Sequence, residues 1–169
     1  MNVASLCRRE VVGIPAGASL HEAAALMCEE HVGALVVVTD AQPPQVVGIL
    51  TDRDLALDVL GRGGNGSELR AGHVAKAPAV AVPGTASLQE AVAAMEKAGV
   101  RRLLVVDEQG GVIGIVAAED LMAAVSEELA GLVRALRSGI ERERAERKVH
   151  RGVPAGRPRF PGFETMATQ

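Results

Sequence analysis

Gly48-Ile49-Leu50-Thr51-Asp52-Arg53-Asp54 and Gly114-Ile115-Val116-Ala117-Ala118-Glu119-Asp120 close two copies of one unit. Upstream, Ala18-Ser19-Leu20-His21-Glu22-Ala23-Ala24-Ala25-Leu26-Met27 reappears as Ala86-Ser87-Leu88-Gln89-Glu90-Ala91-Val92-Ala93-Ala94-Met95. Apolar runs at Ala34–Val38 and Leu103–Val106 lie between. Residues 11–60 are thus written again at 79–126. A unit this short buries too little apolar surface to stand alone. The duplication therefore predicts two halves packed face to face, with the function in the cleft between them.

The punctuation within each copy predicts its elements. Ser19 with Glu22, and Ser87 with Glu90, have the spacing of a capping box. Leu20, Ala23, Ala24, Met27 and Cys28 share one helical face, and Gly33 is read as the helix end. Strands are expected at Val11–Ile14, ended by Pro15, at Leu35–Val38 and at Val46–Leu50, with Thr51 capping a helix over Asp52–Leu60. Leu35–Val38 is continuous rather than alternating, the pattern of a strand buried on both faces. The second copy repeats the order: strand Ala79–Val82, helix to Ala98, strand Arg102–Val106, a turn at Glu108–Gly111, strand Val112–Val116 and a helix from Ala118. Each unit reads β-α-β-β-α. The fold class is α/β (α+β): two tandem repeats packed pseudo-symmetrically, a long C-terminal helix and a flexible tail. The expected bounds are 1–62 for the first repeat, 63–72 for a linker, 73–128 for the second repeat and 129–169 for the helix and tail. Leu121, Val125, Leu129, Leu132, Leu136 and Ile140 recur at three- and four-residue steps, which predicts one amphipathic helix to about Lys148. Gly152–Gly162 is too rich in Pro and Gly for a packed element.

Composition narrows the function. The 169 residues carry 48% hydrophobic side chains but no Trp or Tyr, and the two Phe, Phe160 and Phe163, fall in the tail. The core is aliphatic, and the globular part has no aromatic platform for stacking bases. A net charge of −3 supplies no global basic field for nucleic acid. Arg134, Arg137, Arg142 and Arg144 make the end locally basic, yet Glu141, Glu143 and Glu146 interleave as helical ion-pair partners. Cys7 and Cys28 lack zinc spacing and read as free thiols. No secretory leader or bilayer-length apolar run is seen, so a cytoplasmic location is expected. Gly61-Arg62-Gly63-Gly64-Asn65-Gly66 lacks the ending of a phosphate-binding loop and reads as linker. With no nucleophile–base pair or metal cluster, no catalysis is expected.

The closing signature carries the chemistry. Thr51 follows a strand and Asp54 lies one turn into a helix. A carboxylate there can accept hydrogen bonds from both hydroxyls of a ribose. The Thr51 hydroxyl and the N–H groups at the helix start can meet phosphate oxygens. In the second copy Asp120 is kept but Ala117 replaces the Thr.

The tandem β-α-β-β-α order with this Gly–apolar–apolar–Thr/Ser–x–x–Asp ending resembles the CBS-domain pair, or Bateman module, over roughly Leu6 to Glu128. The resemblance implies a regulatory sensor for adenosine-type ligands (AMP, ADP or ATP, with S-adenosylmethionine and NADH as further members) that needs no cofactor. It also implies that the basic strand start Arg101-Arg102 faces the phosphates of a ligand held by Thr51 and Asp54. The base then lies against Ala79, Val80 and Val100. The opposite pocket has Asp120, Val12, Val32 and Gly33, with Gly33-Ala34 where the first has its arginines. One good nucleotide site and one weaker site are expected. The same resemblance implies a homodimer, and the apolar stripe on the last helix suits a protein partner. No membrane partner is expected and nucleic acid is disfavoured. The alternative is a dimerisation scaffold without a physiological nucleotide.

Overall fold

The computed structural model describes residues 2–146, which fall into two units, one ending at Glu128 and one beginning at Leu129. The expected tail at Gly152–Gly162 and the helix end at Lys148 lie outside the described residues.

In the first unit the chain forms two three-stranded sheets. In the first repeat β1 (Gly13–Pro15) precedes α1 (Leu20–Glu29), β2 (Ala34–Val38) and β3 (Val46–Thr51). In the second, β4 (Ala81–Pro83) precedes α4 (Leu88–Ala98), β5 (Arg102–Val106) and β6 (Val112–Ala117). A short helix α2 (Asp52–Leu55) follows β3, and α3 (Ala71–Val74) lies between the repeats. Helix α5 (Ala118–Glu146) follows β6. In each sheet the first strand pairs parallel to the second and the second antiparallel to the third. Pro15 and Pro83 are the last residues of their strands. An edge strand tolerates Pro because only one side of it needs donors.

The continuous apolar strands are buried on both faces. Leu35 and Val37 pack with Leu20, Ala23, Met27 and Leu50, while Leu103 and Val105 pack with Ala91, Met95 and Val116. The intervening Val36 and Leu104 point the other way and meet each other, with Ile49, in a third cluster that joins the repeats. A strand period of two thus divides each run between its own helix and the opposite sheet.

Both capping boxes form. Ser19 and Ser87 Oγ accept from the Glu22 and Glu90 N–H groups, and the carboxylates accept from the serine N–H groups at 2.7 Å. The backbone and hydroxyl donors of Ser19 hold the Glu22 carboxyl below the usual glutamate range, and Ser87 does the same to Glu90.

Three expectations are corrected. Helix α1 stops at Glu29 and the left-handed residue after it is His31 (φ 54°), not Gly33. The twin position is Gly99 (φ 63°), where the conformation carries no Cβ penalty. Ala24 and Cys28 are exposed, and Leu26 joins the core side instead. The helix after Thr51 is α-helical only to Leu55, then widens into a π-helical stretch over Ala56–Gly61.

The repeats also exchange their leading segments. Val3 and Ala4 donate to the Ala86 and Gly84 carbonyls, and Arg8 pairs with Ile115 in both directions (2.9 and 3.0 Å). In mirror fashion Ala71 and Gly72 donate to the Ala18 and Ala16 carbonyls, and Lys76 pairs with Ile49. Val3 is fully buried in the second repeat's core and Ala71 in the first repeat's. Packing therefore crosses the expected linker. The duplication reaches upstream to residues 2–8 and 70–76, where Val3, Ala71 and Ala75, with the partly buried Leu6, Cys7 and Val74, and hydrogen-bonded backbone do the docking.

In the second unit, residues 129–146 are helical, and Leu129, Leu132, Val133, Leu136 and Ile140 are exposed along them. No helix among the described residues is long and apolar enough to cross a membrane.

Candidate functional site

Each crossing arm passes the closing signature of the other repeat and builds a cavity there. The first cavity, about 110 Å³, is lined by Ile49, Thr51 and Arg53 from one repeat and by Lys76, Pro78, Ala79, Val80, Gly99, Val100, Arg101 and Arg102 from the other. Six of the seven residues expected around the better site, Thr51, Ala79, Val80, Val100, Arg101 and Arg102, line this one space. The three apolar ones also pack on the cores, Ala79 on the inter-repeat cluster and Val80 and Val100 on the second repeat.

Asp54, the seventh, is not among the lining residues. It is 6% exposed and closes a capping box of its own. Its Oδ2 accepts from the Thr51 N–H at 2.9 Å and from the Thr51 hydroxyl at 2.5 Å. Among the described residues Oδ1 makes no hydrogen bond. This corrects two expectations. The Thr51 hydroxyl hydrogen is committed to Asp54, so toward a ligand Thr51 Oγ1 serves as an acceptor. The carboxylate, in turn, has one uncommitted oxygen rather than two.

The start of α2 offers phosphate nothing, a further correction. The Asp52 N–H donates to the Gly33 carbonyl at 3.2 Å, Arg53 N–H to Asp52 Oδ1 at 2.7 Å and Asp54 N–H to Thr51 Oγ1 at 3.3 Å. Anions at this cavity are left to the side-chain cations. Arg53, Lys76, Arg101 and Arg102 all line it, and among the described residues none makes an ion pair. The arginines are therefore not tied to Glu96 or Asp107, the acids nearest in sequence.

The second cavity, about 200 Å³, is lined by Val12, Val32, Gly33, Ala34 and Asp120, as expected of the weaker site. It is not the uncharged pocket that Gly33-Ala34 suggested. Arg8, Arg102, His31, Glu10 and Glu119 also line it. The Arg8 guanidinium donates twice to Asp120 Oδ1, at 3.3 and 3.4 Å, while Oδ2 accepts from the Ala117 N–H at 2.9 Å. Both oxygens of this carboxylate are thus engaged. Arg102 lies between the cavities and borders each.

Arg8 and Lys76 escaped the sequence reading, although a signal existed. Each stands five residues ahead of the first strand of its repeat, so extending the repeat alignment upstream pairs them. Arg53 lies inside the quoted signature but was read only as a spacer. His73 lies on α3 and lines neither cavity. Among the described residues no group of three or more His, Cys, Asp or Glu side chains is arranged to hold a metal ion.

Two matched cavities thus lie between interlocked β-α-β-β-α repeats. The chain belongs to the CBS-domain family, whose model (CBS domain) matches residues 3–61 and 71–127. The uncharacterized protein MK0525 of Methanopyrus kandleri is 35% identical over 123 residues, which cover 72% of this chain and 61% of that longer protein. The CBS domain-containing protein YhcV of Bacillus subtilis is 35% identical over 123 residues, covering 72% of this chain and 84% of YhcV. Of solved structures, the CBS domain protein PAE2072 from Pyrobaculum aerophilum, complexed with AMP, superposes with a TM-score of 0.67 at 24% identity, covering 78% of this chain and 99% of that one. A likeness at that identity speaks for the fold alone.

Proposed function

We propose that this protein carries a regulatory module that binds an adenosine-type nucleotide in the first cavity and signals through a partner or its own assembly. The observation that carries the reading is the convergence, from two repeats, of Thr51 and four cations, without an ion-pair partner among the described residues, beside apolar walls. Asp54 Oδ1 accepts one ribose hydroxyl and Thr51 Oγ1 the other, while Ala79, Val80 and Val100 flank the base. The cavity is smaller than the 300–1,000 Å³ of a typical small-molecule site. It encloses part of a nucleotide and leaves the phosphates at the charged rim. The second cavity stays weaker because Arg8 already occupies the carboxylate a ribose needs.

A thermal-shift series with AMP, ADP and ATP tests this reading. Ligand at a hundredfold excess over its Kd stabilises the native state by about 2.7 kcal/mol, a rise of several degrees for a domain of this size. A melting temperature unmoved by all three nucleotides favours the scaffold reading instead.

A specific surface supports self-association under either reading. Val92, Met122 and Val125 are exposed beside Leu88, Met95 and Leu121, around an apolar groove of about 630 Å³ between α4 and the first turns of α5. Contiguous apolar surface of this kind marks an interaction site. The expected species is a homodimer, read by light scattering. A Met122→Glu/Val125→Glu variant is expected to be monomeric, and a wild-type protein that is already monomeric overturns the assignment.

A further inference from the structure

We infer that residues 129–146 pair with the same stretch of a second copy of the chain as a parallel two-stranded coiled coil. The inference rests on the self-association read above and adds a second contact to it.

The stretch is helical, yet its large apolar side chains stay exposed, from 41% at Val133 to 61% at Leu129. Propensity alone does not account for the helix. Gly131 and Gly139 stand in its interior, and only proline is a poorer helix former. An added Cβ at Gly139 meets nothing within 4 Å, so no packing within the described chain asks for glycine there. Helical stability in proteins comes mostly from burying an apolar face, and this face needs a partner to bury it.

The spacing selects the partner. Leu129, Val133, Leu136 and Ile140 step by four, three and four residues, the alternation of a heptad seam. Leu129 and Leu136 take the d positions, Val133 and Ile140 the a positions. Leucine at d with β-branched residues at a favours two parallel strands. Leu132 falls at g and flanks the seam, and Glu143, the next d position, ends it.

Flanking charge selects the direction. Arg137 and Arg144 take the e positions, and Leu132 and Gly139 the g positions before them. In an antiparallel pair e faces e, which sets arginine against arginine, and neither is neutralised by an ion pair among the described residues. In a parallel pair e faces g. Arg137 then lays its methylene stem over the partner's Leu132, and Arg144 meets the partner's Gly139. Four apolar layers are short for a coiled coil on its own. The stretch follows in sequence on Met122 and Val125 of the apolar groove, so a dimer held there presents the two seams to each other at high effective concentration.

Disulfide trapping in the full chain tests the pairing, with Cys7→Ala and Cys28→Ser removing the native thiols. Under mild oxidation Leu136→Cys is expected to become mostly linked dimer. Ser138→Cys, on the opposite side of the helix, is expected to stay mostly unlinked. When Leu129→Cys and Ile140→Cys chains are mixed, each is expected to link to its own kind. Preferential linking of a Leu129→Cys chain to an Ile140→Cys chain reveals an antiparallel pair and overturns the inference, as does equal linking of Leu136→Cys and Ser138→Cys. A Leu129→Ala/Leu136→Ala variant keeps the helix propensity and is expected to raise the dimer dissociation constant about tenfold or more by sedimentation equilibrium. An unchanged constant overturns the inference and leaves the groove dimer standing. A monomeric wild-type chain overturns both.

Discussion

Gly48→Ala is expected to lower stability by about 3 kcal/mol, and Gly114→Ala by a similar amount, read by chemical denaturation. A Cβ at position 48 lies 2.5 Å from the Lys76 carbonyl oxygen and 3.2 Å from the Ala75 Cβ. At 114 it lies 2.5 Å from Cys7 Sγ and 2.8 Å from the Arg8 carbonyl oxygen. Three of these four neighbours are backbone or a Cβ and cannot swing aside. The crossing arms can make room only by leaving the edge they pair with, which unlatches Ile49 from Lys76 or Ile115 from Arg8. Gly13 is a useful control, since its nearest neighbour to an added Cβ is the Val36 carbonyl oxygen at 3.8 Å. Gly13→Ala is expected to stay close to wild type. Equal stability of Gly48→Ala and Gly13→Ala contradicts the arm exchange. The signature glycine thus has a packing cause, the close passage of a second chain segment.

Most of the fold was legible because it is local and written twice. Ser19–Glu22 and Ser87–Glu90 announced their helices through groups three residues apart, and the apolar runs at Leu35–Val38 and Leu103–Val106 announced doubly buried strands. The arm exchange was not legible. Residues 2–8 and 70–76 dock through backbone hydrogen bonds and small side chains such as Ala71, which leave almost no compositional trace. The helix end was misplaced because His31 holds a left-handed conformation that glycine usually takes, and its neighbour Gly33 offered a false signal.

The site was legible as a neighbourhood and less so as an arrangement. The resemblance to the CBS-domain pair implies that Thr51, Ala79, Val80, Val100, Arg101 and Arg102 surround one space, and in the structure these six line the first cavity. It says nothing of how hydrogens are shared, and there the picture changed. Thr51 gives its hydroxyl proton to Asp54, and the first N–H groups of α2 go to Gly33, Asp52 and Thr51. The Arg8–Asp120 pair joins residues 112 positions apart, a contact that no spacing within a repeat reveals.

The largest expected effect on function is that of Asp54→Ala, set against Asp120→Ala. The two substitutions are matched in their structural consequences. Each removes a carboxylate that accepts from the N–H three residues back, at 2.9 Å in both cases. Asp54→Ala also releases the Thr51 hydroxyl, and Asp120→Ala also releases Arg8. Loss of a cap costs about 1 kcal/mol, so both variants are expected to fold. They differ in the oxygen that remains for a ligand. Asp54 has Oδ1 uncommitted, whereas both oxygens of Asp120 are taken. A hydrogen bond to a charged group contributes about 1.5–3 kcal/mol, so Asp54→Ala should weaken nucleotide binding about tenfold or more. Titrating ADP calorimetrically into wild type, Asp54→Ala and Asp120→Ala is the most direct test of a nucleotide held in the first cavity. The expected result is one site per chain in wild type, nearly unchanged in Asp120→Ala and largely lost in Asp54→Ala. Equal losses in the two variants, or binding that survives Asp54→Ala intact, contradict it.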